Sequence, residues 1–389
     1  MKNQKIIKVT PVGTLKSYDL EVDHPDHNFL ANGIVTSNSH AVAYASLAAL
    51  GVYLKFKYPK EFFLEALEIA QNKAKPQEEI GPIRHELQHF GIKLLPPDIA
   101  KSQMHFTIEG KNIRYGLTGI KKIQEIGALK DFISEGVTNK FEVFEASKRV
   151  KLGIGRLSAL IQAGALASMG DNRPLLVLEA QLWGLLTDRE RVWALEHGKE
   201  YGYKLHDMVV NILEWETDGK KVARKTRLNT IKKNHARYKE IYTLNKNFPE
   251  FANWWYETEL LGYSYSTDLY KVFKGRYGKL KPLSSFEKRE ENKWIGAIGR
   301  IIDDPIKSKS KAKGTPYFKF VFEDETAAVT AIMFSSHLEK YIDSGNPLPK
   351  KGAIVYAEGR KWNDIISVQR IALQTDKIYM QLSELKDKK

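Results

Sequence analysis

The sequence predicts a multidomain α+β protein: a small β-rich segment, a mostly helical middle and a C-terminal β-barrel. Three observations predict it. Residues 3–9 and 18–22 alternate in the manner of short strands. From Ala41 to about Asn72, and again over 77–90 and 175–197, apolar residues follow helical patterns. Between residues 293 and 373 five strand-like runs occur with one helix after the third. A length of 389 residues is enough for two or three domains with cores of their own.

Composition narrows the function classes. There is no cysteine, which excludes disulfides, thiolate metal sites and cysteine catalysis within this chain and fits a cytoplasmic protein. No apolar run reaches membrane-spanning length and no signal peptide is evident. The formal net charge is +14. In residues 1–38, Lys2, Lys5, Lys8 and Lys16 balance Asp19, Glu21, Asp23 and Asp26, so the excess lies in 39–389. A basic body behind a neutral leader points to a polyanion, most simply nucleic acid.

In chain order, Ala31-Asn32-Gly33-Ile34 is a turn signal before a last short strand. The Ala-rich run Ala41–Val52 reads as a buried helix, broken after Tyr58 by Pro59, which starts a second helix. A third covers 77–90. The Pro96-Pro97 pair makes 91–99 an extended connector, and 106–117 reads as a hairpin turning at Glu109-Gly110-Lys111.

Two further hairpin candidates stand between helices, Gly119–Gly127 and Lys151–Leu166, the latter opening Lys151-Leu152-Gly153-Ile154-Gly155-Arg156. A Gly-apolar-Gly turn at a helix start exposes backbone N–H groups that can hold a phosphate, although such turns also serve as plain tight connections. Lys148, Arg149, Lys151 and Arg156 favour the phosphate reading. Residues 175–197 read as helical. Between Asp218 and Glu240 there is no acid but there are nine Lys or Arg residues. These form either a phosphate-tracking element or a solvated basic loop. The aromatics of 254–263 read as core.

The barrel runs are Trp294–Ile302, Tyr317–Glu323, Ala328–Phe334, Ala353–Gly359 and Ile365–Ile371, with a helix at Ser335–Ser344. That order matches an oligonucleotide-binding barrel. Its first loop, with Lys307, Lys309, Lys311 and Lys313, reads as a mobile cationic arm. Phe318, Phe320 and Trp362 are candidates for stacking on bases, and each is equally readable as core.

The seam Ser37-Asn38-Ser39-His40 carries its own chemistry. An Asn amide can attack its own backbone carbonyl, form a succinimide and cut the chain after itself. That step needs proton transfer, which His27, with Asp26 beside it, can supply to Asn38. The Ser39 hydroxyl can accept an acyl group.

The string Asp26-His27-Asn28-Phe29 … Asn32-Gly33-Ile34 … Ser37-Asn38 resembles the C-terminal block of an intein, and the whole of 1–38 resembles the C-terminal piece of the split inteins found in replicative polymerase genes. Most inteins carry His where Ser37 stands, and these split examples usually continue with Cys where this chain has Ser39. The acceptor here is therefore an oxygen nucleophile, a departure that bears on the rate of ligation. The resemblance implies a partner chain ending in the N-terminal intein half.

Beyond the seam, Ser39–Tyr58, Gly91–Ile99 and Ile113–Lys122 occur in the order and spacing of the alpha subunit of bacterial DNA polymerase III, which the body of the chain resembles. The resemblance implies fingers over 39–117, with His40 and Lys55 facing an incoming nucleotide. Lys55 is also readable as a snorkelling surface residue. It implies a helix-hairpin-helix, duplex- and clamp-binding region over 118–290, with Lys151, Gly153, Gly155 and Arg156 on DNA. An OB-fold over 291–376 and a tail over 377–389 follow. The palm carboxylates with their Mg²⁺ belong on the partner half, so this chain alone is expected not to polymerise. The family's clamp motif has no good copy; Gln181–Leu186 is nearest. The implied partners are the N-terminal polymerase half, primer–template DNA and a sliding clamp. Two other readings stay open: a stand-alone DNA-binding module or non-covalent polymerase subunit with an inactive intein remnant, and a protein in which Asn38 only cleaves.

Overall fold

A computed structural model describes residues 28–31, 34–37, 39–123, 126–169, 172–247, 249–277, 280–310 and 314–373. The chain divides into two compact units, 1–62 and 63–389.

In the first unit β1 (Asn28–Ala31) and β2 (Ile34–Ser37) pair antiparallel, with Asn28 opposite Ser37 and Ala31 opposite Ile34. The strand-like runs 3–9 and 18–22 lie outside the described residues. α1 (Ser39–Lys57) ends just before Tyr58, whose helical conformation Pro59 disfavours. Its apolar run is a helix as the pattern requires, but not a buried one. Tyr44, Leu47, Leu50 and Val52 are 69, 63, 51 and 57% exposed. Helical hydrogen bonds are satisfied within the segment, so an apolar helix can form without being buried.

α2 (Pro59–Gln71) opens on Pro59, and its part in the second unit buries Phe63, Leu67 and Ala70, a helical i, i+4, i+7 stripe. α3 (Pro76–His89) buries Ile80 and Leu87. The connector contributes β3 (Leu94–Leu95), parallel to β5 (Asn112–Arg114), which pairs antiparallel with β4 (Thr107–Glu109). Arg114 fixes this sheet by a bidentate pair with Glu109, both bonds 2.7 Å, and a bond to the Pro96 carbonyl.

Next come α4 (Ile126–Ser134), α5 (Lys140–Arg149), α6 (Ile154–Gln162), α7 (Arg173–Leu185), α8 (Asp188–His197) and the short α9 (Leu205–Met208). Residues 175–197 are helical as read and divide between α7 and α8. Thr187 and Glu190 cap each other's backbone reciprocally, which starts a new helix at Asp188. The acid-free basic stretch is not a loop. It is a hairpin of β6 (Glu216–Thr217) and β7 (Lys220–Lys221) followed by the long helix α10 (Lys225–Asn247). Ile231 is buried, as apolar helix-face residues are. α11 (Pro249–Leu261) and α12 (Leu269–Phe273) complete the helical region, with Phe251 and Trp254 in its core.

The remaining strands are β8 (Trp294–Ile301), β9 (Ile306–Lys309), β10 (Pro316–Glu323), β11 (Ala328–Phe334), β12 (Ile354–Trp362) and β13 (Ile365–Leu373), with α13 (Ser335–Asp343) after β11. β8 pairs with β10, β10 with β11, β11 in parallel with β13, β13 with β12, and β12 with β8. These pairings close a five-stranded, OB-like barrel. α13 contributes Leu338 to its core. β9 adds a sixth strand along β10. The first half of the arm expected to be mobile is therefore a paired strand.

The β10–β11 turn ties the barrel to the helical region. Asp324 accepts from the Leu283 backbone at 2.7 Å. Glu325 accepts from the Trp254 indole and, at 2.9 Å, from the Leu269 backbone N–H. Burial pushes the Glu325 carboxyl up from 4.5 to about 7 despite these donors. The folded state then holds a proton that the unfolded chain releases, so this group's stabilisation is present at low pH and is lost as pH rises through about 7. Glu325→Gln removes the titration. Relative to that variant, the wild type is expected to gain about 2–3 kcal/mol between about pH 8 and about pH 5, because each tenfold difference in proton affinity between the folded and unfolded chain is worth roughly 1.4 kcal/mol. Thermal melts of both proteins across that range check it; a constant difference would refute it.

Candidate nucleic-acid interface

The second hairpin is built by its two flanking helices. Asn139 caps α5, accepting from the backbone of Phe141 and Glu142 at 3.0 and 3.1 Å. Phe141, Val143 and Phe144 bury the inner face of α5. The chain then reverses: Lys151 has φ +58° and Gly153 φ +82°, a value at which a side chain is strained. Leu152 is buried while Lys151, Gly153, Ile154 and Gly155 are exposed. Gly153 begins α6 with no side-chain cap. The first N–H groups of α6, at Ile154 and Gly155, have no intrahelical acceptor, and both residues are exposed. Backbone donors at a positive helix end, beside the Lys151 ammonium, can receive a phosphate oxygen.

Not all of the expected cations take part. Arg156 turns back to donate to the Leu152 carbonyl at 3.1 Å, which braces the hairpin. Arg149 pairs with Glu135, and Lys148 lies 3.8 Å from Asp188. Lys151 is the cation that the hairpin presents.

α6 ends at Gly164, φ +86°, where a Cβ would collide with the Tyr265 hydroxyl, so only glycine fits. Tyr265 donates to the Ala163 carbonyl at 3.2 Å. Arg173 donates to the Gln162 carbonyl, to Tyr265 and to Glu257. Glu257, fully buried, also accepts from Ser264 and from the Tyr265 and Ser266 backbone at 2.8–3.0 Å. The hairpin's far end is thus fixed to α7 and α11 through one carboxylate. Nothing in the sequence singled out Arg173 or Glu257, which lie 84 positions apart.

In the barrel, strand parity decides the stacking question for two residues. Phe318 and Phe320 are each 2% exposed and point into the barrel with Phe322. They are core residues and present no face to a base. Their neighbours Tyr317 and Lys319 point outward, with Tyr317 opposite Phe334 on β11. Trp362 is 48% exposed, its ring 5.4 Å from that of Phe334. Lys307 and Lys309 are exposed on β9, which pairs with the Tyr317 end of β10. The outward set is therefore Tyr317, Phe334 and Trp362; Lys307 and Lys309, though exposed, lie opposite Phe318 and Pro316, so on β9 it is Ser308 that shares the face of Tyr317. Tyr317 and Phe334 were legible from alternation with Phe318. Lys311 and Lys313 lie outside the described residues.

Of the seam residues, Asp26, His27 and Asn38 lie outside the described residues, and Ser39 and His40 are the first two residues of α1. Lys55 sits in the last turn of α1. The clamp-like segment Gln181–Leu186 is mostly helix α7, with Leu182 and Trp183 each 1% exposed, so its apolar side chains are core and not available to a partner. Asp303 and Asp304 are exposed in the bend after β8. Among the described residues no helix is long and apolar enough to cross a membrane.

A family described as helix-hairpin-helix motif matches residues 91–176, a span that includes 119–127 and 151–166. The chain is 24% identical over 347 residues, 88% of its length, to DNA polymerase III subunit alpha of Bacillus subtilis, of which it covers 27%. It is 23% identical over 338 residues to the same subunit of Borreliella burgdorferi, covering 84% of this chain and 27% of that one. Over 137 residues, 33% of this chain and 11% of the relative, it is 36% identical to the subunit of Aquifex aeolicus. The chain is thus homologous to the C-terminal region of DNA polymerase III alpha subunits and spans about a quarter of the length of the Bacillus relative.

Proposed function

We propose that this chain is the C-terminal part of a replicative DNA polymerase alpha subunit, acting in the cytoplasm, that is joined by protein trans-splicing to a separate half carrying the N-terminal intein piece and the palm. The observation that carries the polymerase reading is the homology over 88% of the chain, with the helix-hairpin-helix motif and an OB-like barrel in series. The splicing reading rests on the residue pattern around Asn38 and Ser39.

In this reading 39–117 is part of the fingers, with His40 and Lys55 toward the incoming nucleotide. Residues 118–290 grip duplex DNA, the α6 N–H groups and Lys151 holding a backbone phosphate without reading sequence. The barrel, 291–376, holds the template single strand on Tyr317, Phe334 and Trp362, with Lys307 and Lys309 along its backbone. Two-metal phosphoryl transfer belongs to the partner's palm.

The test uses the full chain with a primer–template carrying a single-stranded overhang. It is expected to bind that DNA, to incorporate no nucleotide alone and to support incorporation once mixed with the catalytic half. Trp362→Ala is expected to weaken overhang binding by about 1–3 kcal/mol, roughly 5- to 150-fold, and to leave blunt duplex binding unchanged. Fluorescence anisotropy on the two DNAs measures it. A chain that ignores DNA, or that polymerises alone, overturns the reading.

A further inference from the structure

We infer that the β6–β7 hairpin and the first turns of α10 form a second, independent seat for the sugar–phosphate backbone of duplex DNA, beyond the helix-hairpin-helix turn. The inference rests on the proposed DNA-binding role and deepens it.

The acid-free segment does two separable things. Arg227 is its anchor: it forms a bidentate pair with Glu190 at 2.8 and 2.9 Å and donates to the Leu185 carbonyl at 2.6 Å. Glu190 is 1% exposed. Burial works to raise its carboxyl, and the Arg227 bonds with the Thr187 backbone outweigh burial and hold it below its ordinary value. Ala223 and Ile231 are buried on the same side. Val222 bonds back to the Trp215 carbonyl at 2.9 Å, which sets the hairpin against the helical core. A segment held this firmly is a rigid platform, not a solvated loop.

The opposite side of that platform is cationic. Lys220, Lys221, Arg224, Lys225, Lys232 and Lys233 are all exposed. Among the described side chains the one acid they meet is Glu216, 3.1 Å from Lys221. Lys225 and Lys232 are seven residues apart, so they share a helix face about 10 Å apart along the axis. Like charges held in a rigid row repel one another and are unfavourable without a counter-charge. Duplex DNA supplies one about every 1.7 Å. The exposed set of 216–235 includes no aromatic ring, so this surface offers charge without a stacking platform. That favours the backbone of a duplex over splayed single-stranded bases. α7 carries both elements, since α6 and α10 each pack against it.

The test is the full chain with Lys220, Arg224, Lys225, Lys232 and Lys233 changed to Gln and Arg227 kept. Anisotropy is recorded on a blunt duplex of about 25 base pairs across a salt series. Five lost phosphate contacts are expected to reduce the slope of log K against log salt by about 4 and to weaken binding at least roughly tenfold near 0.15 M salt. Should that variant fail to show the wild-type melt, Lys232→Gln with Lys233→Gln is expected to reduce the slope by about 2. An unchanged slope overturns the inference and assigns the surface to another partner, such as an acidic protein. Wild-type chain that does not bind duplex at all would instead remove the DNA-binding reading itself, so the two failures are distinguishable.

Discussion

Glu257→Ala is expected to destabilise the second unit by about 3–5 kcal/mol, the usual result of removing one partner of a buried ion pair. The cost has a structural source on both sides of the carboxylate. Arg173 lies 2.6 Å from Glu257 and is itself largely buried. Without Glu257 the guanidinium keeps its bonds to Gln162 and Tyr265 but has no counter-charge. The Tyr265 and Ser266 N–H groups, both bonded to the second carboxylate oxygen, lose their acceptor together, while the Ser264 hydroxyl keeps the Thr267 carbonyl at 2.7 Å. Urea unfolding midpoints measure the loss. Removing Arg173 as well, as Arg173→Met, relieves the unpaired charge and should recover part of it, leaving the cost of the orphaned donors. A coupling energy of at least about 1.5 kcal/mol is expected from the double-mutant cycle, because the two groups are in direct contact. Additive effects would mean that the pair is not the element that holds the hairpin's end. Duplex affinity should fall with Glu257→Ala even in conditions where the chain remains folded, since the Tyr265 backbone, whose side chain holds Ala163, loses its own anchor on Glu257.

That network shows where sequence reasoning reaches its limit. The barrel was legible because strands betray themselves by alternation. The runs Tyr317–Glu323, Ala328–Phe334 and Ile365–Ile371 are strands as read, and the helix after the third falls where it should. The same alternation already contained the fate of Phe318 and Phe320. They share parity with Phe322, so all three point one way, and three stacked rings on one face belong inside. The helix break at Thr187 was written as Thr-x-x-Glu, a local signal. The helix under the basic stretch was partly written in Leu228 and Ile231, three apart, and masked by the weight of charge around them. What no local rule supplies is the meeting of residue 173 with residue 257, or of 190 with 227. Those pairs exist because packed helices bring distant positions together. Apolarity had the converse weakness: in α1 it named a helix correctly and its burial wrongly.

Asn38→Ala is expected to abolish release of the leader when the chain meets a partner bearing the N-terminal intein half, and the manner of failure is as informative as the failure. In the proposed sequence the acyl end of the partner half, already moved from its peptide nitrogen to the side-chain nucleophile that opens the N-terminal intein piece, passes to Ser39: its bond to that nucleophile breaks, an ester to the Ser39 oxygen forms, and the hydroxyl proton goes to the departing nucleophile. The Asn38 side-chain nitrogen then attacks its own backbone carbonyl. The peptide bond between Asn38 and Ser39 breaks, the Ser39 nitrogen takes the proton, and residues 1–38 leave as a succinimide. The freed amine finally captures the acyl group from its own hydroxyl, giving an ordinary peptide bond. With alanine at 38 only the second step is removed. A branched species, the transferred partner half plus the intact 44.4 kDa chain, should accumulate and break on treatment with hydroxylamine, which cleaves esters and spares amides. With Ser39→Ala the transfer is removed and cyclisation is not, so the chain should be cut into 1–38 and 39–389 with no ligated product. His27→Ala should slow release of the leader while sparing the branched species, because His27 is assigned to proton transfer and not to bond formation. Intact mass of each mixture separates these outcomes. If wild-type chain with a partner half gives only the uncut 44.4 kDa species, the leader is an inactive remnant and the polymerase halves associate without being joined.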